Sequence, residues 1–258
     1  MKKVLWLVLL LALAGCSSQS QLPEKNSADP FAEDGGGQHP RDPYEDWNRK
    51  VFAFNEMVDG WVIKPVAQGY KAITPRFLRR GVRNFFSNLD EVAQFGNNLL
   101  QGKPLAAGKD VARFTLNSTL GLVGFLDVAT PLGLERSQED FGQTLNTWKV
   151  PQGPYLVWPL VGGQTLTHTL ATPVDYRLNP MAYIEHPYVA YSLWGLYGLQ
   201  LRTDLLDAES MISGDRYSFI RDAYLQRRTY LINDGQVGSD PFLDDDFDDM
   251  DFDDAFSD

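Results

Sequence analysis

From Tyr44 onward the large apolar side chains recur at the spacing of one helix face: Tyr44, Trp47, Val51, Phe54, Val58 and Trp61. The same three-to-four-residue period returns along most of the chain, so it commits the body to amphipathic helices with little or no β structure. Helix punctuation accompanies it. Asp42-Pro43-Tyr44-Glu45 reads as a start, with Asp42 as cap, Pro43 in the first helical position and Glu45 where a capping box places its acid. Lys64-Pro65 reads as the end of that run. Thr74-Pro75 opens a second helix. Asn88, with Glu91 three residues on, opens a third that stops at Gly102. Residues 104–116 form a fourth, and 119–129 are short, apolar and closed by Pro131. Prolines crowd residues 140–179, which read as ordered loop with short helices. Tyr155-Leu156-Val157-Trp158 there has strand composition but meets a proline at once. Helices resume over 187 to about 211 and 215 to about 232. The last has Tyr217, Ile220, Tyr224 and Leu231 on one face, with Arg216, Arg221, Arg227 and Arg228 elsewhere.

The N-terminus is outside this pattern. Lys2 and Lys3 precede an uncharged apolar run, residues 4–13, and then Ala14, Gly15 and Cys16. This is the layout of a secretory signal, too short to span a bilayer comfortably. Leu13-Ala14-Gly15-Cys16 resembles the lipobox of bacterial lipoproteins, with residues 1–15 removed and Cys16 lipidated. Cys16 is the sole cysteine, so no internal disulfide forms. Ser17 rather than aspartate follows it, which in enteric lipoproteins directs the chain to the outer membrane. Residues 16–41, rich in Ser, Gln, Gly, Asp and Pro, read as a tether. The folded body runs over 42–239.

The net charge of −11 is concentrated at the other end. Residues 240–258 hold ten aspartates and no Lys, Arg or Glu. This acidic tail reads as disordered, and the rest of the mature chain is nearly neutral. A basic footprint for nucleic acid is absent.

Two features favour lipid contact. Residues 188–201 are apolar nearly all round yet too short to cross a bilayer, which suits either a buried core helix or one lying in the membrane plane. Trp and Tyr are plentiful at helix ends, where rings sit at headgroup level. A plain globular core with aromatics fits the same pattern. Enzyme chemistry finds little support. There is no Gly-x-Ser-x-Gly elbow, no P-loop and no His or Cys spacing suited to zinc, so neither cofactor nor metal is expected. Ser118, Asp127 and His168 are the only triad worth naming. Glu139-Asp140 suits a solvated helix start better than a carboxylate dyad.

The body carries Asp42-Pro43-Tyr44-Glu45, Asn48-Arg49, Phe52-Ala53-Phe54-Asn55 and Lys64-Pro65-Val66-Ala67. The stretches 81–89, 98–102, 117–121, 140–145 and 153–156 follow in order. Together they resemble the MlaA (VacJ) family of outer-membrane lipoproteins over roughly residues 42–233. Lys149, and Thr167-His168, depart from the family's usual residues.

The resemblance implies a ring-like or disc-like array of helices in the periplasmic leaflet, with a central channel. It implies removal of misplaced phospholipid from the outer leaflet and its transfer to a soluble periplasmic carrier, beside a trimeric porin. Asn48, Phe52, Phe54 and Asn55 would then line or gate the channel, and Lys64, Arg79, Arg80 and Arg83 would meet lipid phosphates at its rim. A polar-lined passage lowers the cost of carrying a charged headgroup past hydrocarbon. The alternatives are an adaptor that tethers a porin or envelope complex without moving lipid, and a lipid hydrolase using Ser118 and His168.

Overall fold

The computed structural model describes residues 39–212 and 214–235. The signal segment, Cys16, most of the tether and the acidic tail lie outside them. Within them the chain is helical with one small hairpin. Helix α1 (Glu45–Val58) runs through a π-helical turn (Asp59–Ile63) into α2 (Lys64–Ile73). Then come α3 (Arg76–Leu100), α4 (Pro104–Thr119) and α5 (Phe141–Thr147). Strands β1 (Tyr155–Trp158) and β2 (Gly162–Thr165) pair antiparallel, with Tyr155 opposite Thr165. Helices α6 (Leu166–Leu178), α7 (Pro187–Leu205) and α8 (Arg216–Ile232) complete the fold.

Several expected boundaries move. Asp42 does not cap α1, whose N-terminal flank is Tyr44 with no side-chain cap. Asp42 is instead fully buried, accepting from Asn48 Nδ2 at 2.7 Å and from the Tyr217 hydroxyl at 2.5 Å. Pro65 does not end the first helical run. Its predecessor Lys64 donates its N–H to the Asp59 carbonyl five residues back, and this wider turn carries the chain past the proline. Asn88 and Glu91 do not start a helix either. Both are buried inside the 25-residue α3. That helix ends at Gly102, at φ +77°, with Lys103 N bonded to Asn98 O and Gly102 N to Leu99 O, a Schellman closure. In the proline-rich middle, β1 covers the four residues with strand composition, but α6 is longer than a loop reading allows and includes Pro173. Side-chain caps at Asp140, Thr165 and Asp215 start α5, α6 and α8.

The pairing of α3 with α4 is the most extensive helix contact, and α2 packs on α7. Among the described residues the buried side chains are more often polar than apolar. Asn48, Asn97 and Asn98 are wholly buried and Glu91, Asp110 and Arg113 nearly so, whereas Trp61, Ile73, Leu105 and Tyr188 are 84, 81, 85 and 85 % exposed. Helix α7 is therefore not a buried core helix. Tyr188, Val189, Tyr191, Leu201 and Leu205 are exposed, while Gln200 and Thr203 are its buried residues. Arg221 and Arg228 are also inside, on Asp42 with Glu45 and on Asp140 respectively. A conventional soluble fold buries its apolar face, so this distribution is inverted. No helix of the described residues is long and apolar enough to cross a membrane.

Candidate functional site

A cavity of about 900 Å3 opens between the α1–π turn–α2 run, the hairpin, α7 and α8. Its lining is mainly apolar: Val62, Ile63 and Val66 on one side, Leu160 and Val161 at the hairpin turn, and Leu199, Leu205, Ile212, Phe219 and Ile220 opposite. Phe52, Asn55, Glu56 and Asp59 face it from consecutive turns, at the i, i+3, i+4, i+7 spacing of one helix face. Phe52 also meets the Tyr217 ring edge-on, centroids 5.5 Å apart.

Asn55 holds the hairpin over this cavity. Its Nδ2 donates to Trp158 O at 2.9 Å and its Oδ1 accepts from Leu160 N at 2.8 Å. Leu160 sits at φ +63°, a strained backbone for a leucine, so the amide bonds secure a conformation the turn would otherwise resist. One heptad earlier Asn48 does the same for the strand itself. It donates to Tyr155 O at 3.0 Å and accepts from Val157 N at 2.9 Å. Asn48 is buried and does not reach the cavity wall, and Phe54 is 44 % exposed and does not line it either. In β2, Gly163 pairs with Val157 and has the Tyr155 hydroxyl so close that an added Cβ would lie 1.8 Å from it.

The cavity's polar wall is an ion-pair ladder. Arg202 donates Nε and Nη2 to the two oxygens of Asp59, each at 2.7 Å, and also reaches Glu209. Glu209 accepts in addition from Lys64 Nζ at 2.7 Å and from Arg216 Nη2 at 3.2 Å. Arg216 in turn pairs with Glu56 at 2.6 Å. Burial alone would push the Glu209 carboxyl up, but Lys64, Arg202 and Arg216 around it hold it down at about 2. The ladder is thus three cations against three carboxylates, neutral in sum. Of its members, sequence reasoning singled out only Lys64. Arg202, Glu209 and Arg216 stand seven residues apart, and Glu56 and Asp59 continue the Phe52–Asn55 face, which is the signal that could have pointed to them.

The other basic candidates lie elsewhere. Lys71, Arg79, Arg83, Thr203, Asp204 and Asp207 line a second cavity of about 230 Å3. There Arg83 pairs with Asp204 at 3.0 Å, Lys71 with Asp207, and Arg79 donates to Lys71 O at 2.6 Å. Arg80 is exposed. The triad candidates take separate partners: Ser118 accepts from Asn88, Asp127 from Asn117 and Thr130, and His168 Nδ1 lies 2.9 Å from the Tyr224 hydroxyl. Burial pushes the His168 pKa down. Among the described residues no group of acidic, His or Cys side chains could hold a metal.

Comparison with known proteins agrees over most of the body. The family described as MlaA lipoprotein matches residues 40–231. The intermembrane phospholipid transport system lipoprotein MlaA of Escherichia coli (strain K12) is 34% identical over 202 residues, covering 76% of this chain and 80% of that protein. The Haemophilus influenzae protein of the same name is 30% identical over 241 residues, 90% of each chain. A solved structure reported as "Structural basis for maintenance of bacterial outer membrane lipid asymmetry" superposes with a TM-score of 0.67 at 34% identity, covering 74% of this chain and 99% of its own. An inverted helical body, motifs in order and this likeness in both sequence and structure make the chain a member of the MlaA lipoprotein family.

Proposed function

We propose that this chain is an outer-membrane lipoprotein that takes misplaced phospholipid from the outer leaflet and passes it through a central channel toward the periplasm, preserving lipid asymmetry. The observation that carries the reading is the cavity of about 900 Å3, apolar over most of its wall and charged along one edge, inside a body whose outer face is apolar. Acyl chains match the first surface and a headgroup the second, while exposed Trp and Tyr match the bilayer interface. The names of the relatives, a phospholipid transport system and lipid asymmetry, support the same direction.

In this reading residues 1–15 are the signal and Cys16 carries the acyl anchor. Residues 16–41 are the tether, with the acidic tail following the body, and the helices form a ring or disc lying in the periplasmic leaflet. Asn55 positions the hairpin turn, so that Leu160 and Val161 form a flap at the channel, and Phe52 lines it. Phe54 faces lipid, Asn48 anchors the strand behind the flap, and Lys64 braces the charged edge. Arg79, Arg80 and Arg83 meet lipid phosphates at the rim. A porin trimer beside the disc and a soluble carrier below it complete the route. No nucleotide is needed, since poor packing of phospholipid among lipopolysaccharide and the carrier's affinity set the direction.

The test is a deletion strain assayed for surface-exposed phospholipid. Accumulation that the native gene reverses, and that Asn55→Ala reverses poorly at equal abundance, supports the reading. Unchanged surface phospholipid, with a porin or envelope complex lost instead, would leave an adaptor in its place.

A further inference from the structure

We propose that Glu56 and Arg216 are the headgroup-selecting pair of the cavity, Arg216 taking the phosphodiester of a bound phospholipid and Glu56 its ammonium. This rests on the transport reading above and deepens it.

The members of the ladder are not equally committed. Asp59 gives both oxygens to Arg202, and Glu209 accepts from three cations. The side chains of Arg202, Asp59 and Glu209 are 14, 19 and 15 % exposed, so displacing any of them strands a charge away from water. Glu56 and Arg216 are 36 and 35 % exposed and share one contact at 2.6 Å. Arg216 Nη1 and Glu56 Oε1 have no protein partner among the described residues. This pair, about one-third exposed and joined through a buried Arg216 Nε that makes no hydrogen bond, is the least committed of the ladder, so two charge-assisted contacts to a ligand can replace it.

Geometry adds direction. Glu56 comes from α1 and Arg216 from the first turn of α8, so a cation and an anion are presented side by side where two helices meet the cavity. A phosphodiester with a nearby ammonium is the mirror of that arrangement. Val62, Ile63, Val66 and Phe219 supply the apolar wall for the attached chains, which a free phosphate has no use for. Because the ladder is neutral in sum, a zwitterionic headgroup enters without leaving net charge among apolar walls, and an anionic headgroup does not. The cavity therefore favours zwitterionic over anionic phospholipid.

The experiment uses the full lipoprotein in detergent, exchanged with vesicles of equal phosphatidylethanolamine and phosphatidylglycerol, with bound lipid measured by mass spectrometry. The native protein should be enriched in phosphatidylethanolamine. Glu56→Gln leaves a surplus cation and should shift the bound ratio about 5–10-fold toward phosphatidylglycerol. Arg216→Gln should lower total lipid and deplete phosphatidylglycerol further, while Arg216→Lys keeps the native ratio. Inorganic phosphate added in excess should not displace lipid from the native protein. Thermal unfolding identifies any variant that fails to fold, and Glu56→Ala, which also removes the carboxylate, then replaces Glu56→Gln, with a shift in the same direction. An unchanged ratio in folded variants that still bind lipid overturns the selectivity proposal and leaves transport standing, as does displacement by phosphate. No lipid on the native protein overturns both.

Discussion

Arg113 donates through Nε to Glu91 at 2.7 Å, joining α4 to α3 with both side chains almost wholly out of solvent. Thr130 Oγ1 and Asp127 receive its other nitrogens. Removing one partner of such a pair strands a buried charge, whereas replacing both does not. Arg113→Ala should therefore lower unfolding stability by about 3–5 kcal/mol. Adding Glu91→Gln to it should recover part of that loss. Chemical denaturation in detergent reads both, and equal losses in the single and double variants would refute the coupling.

A second buried acid predicts a pH dependence. Burial pushes the Asp175 carboxyl up to about 6, against the lowering effect of bonds from Asn97 Nδ2 at 3.0 Å and Phe141 N at 2.9 Å. With its folded pKa above its unfolded one, Asp175 favours the folded state below about pH 4, and that contribution disappears as pH rises through about 6. The shift corresponds to roughly 3 kcal/mol at most. Asp175→Asn keeps an oxygen acceptor for both donors, so it should flatten the stability profile across pH 4–6. A profile as steep as the native one would rule out Asp175 as its source.

Glu209 has the opposite sign. Held at about 2 by Lys64, Arg202 and Arg216 against the upward push of burial, it adds stability above about pH 4.5 that fades as pH falls toward 2. Glu209→Gln should lower stability at neutral pH and narrow the difference from the native protein under acid. A constant difference across that range would contradict this account.

Gly163 gives a steric prediction. With the Tyr155 hydroxyl 1.8 Å from where a Cβ would sit, Gly163→Ala forces the hairpin away from the buried ring. Overpacking of this kind costs about 1–3 kcal/mol. Gly108, with nothing within 4 Å of its added Cβ, is the control, and Gly108→Ala should be neutral or slightly stabilising by thermal unfolding.

Asn48 tests how the hairpin is held. Asn48→Ala leaves Tyr155 O, Val157 N and Asp42 Oδ1 each short of one bond in a buried setting. The expected loss is about 2–3 kcal/mol, with β1 amides exchanging hydrogen faster than those of α3. Uniform exchange acceleration would argue against a local role.

What the sequence disclosed was mostly local. Thr74-Pro75, Gly102 and Asp215 mark real helix limits because a proline ring, a left-handed glycine and a short acid act within one turn of where they stand. The strand composition of residues 155–158 survives the following proline because Pro159 falls just past the last ladder pair, Trp158 with Gly162. The misread positions all involve distant partners. Asn88 and Glu91 carry the signature of a helix start but bond Ser118 and Arg113 on another helix. Asp42 looks like a cap until Tyr217 and Arg221, far along the chain, are brought to it. Arg221 and Arg228 stand off the apolar face of the last helix, which by itself says nothing of their burial, and only tertiary pairing with Asp42 and Asp140 puts them inside. The charged ladder draws on three separate stretches, so no single motif could spell it. Phe52, Phe54 and Asn55 enter together as one stretch of the resemblance, and only the folded positions of their side chains set Phe52 and Asn55 on the cavity wall and leave Phe54 off it.

The π turn between α1 and α2 acts as a phase shifter. A residue inserted into an α-helix rotates everything beyond it by about 100°. The two arms of the run therefore aim their contact faces independently, Asn48 and Val51 toward the hairpin and Ala67 toward α7. Losing any one residue from 59–63 would restore an unbroken α ladder, seat Pro65 badly and swing Ala67 out of its contact, although every side chain on both arms remained unchanged.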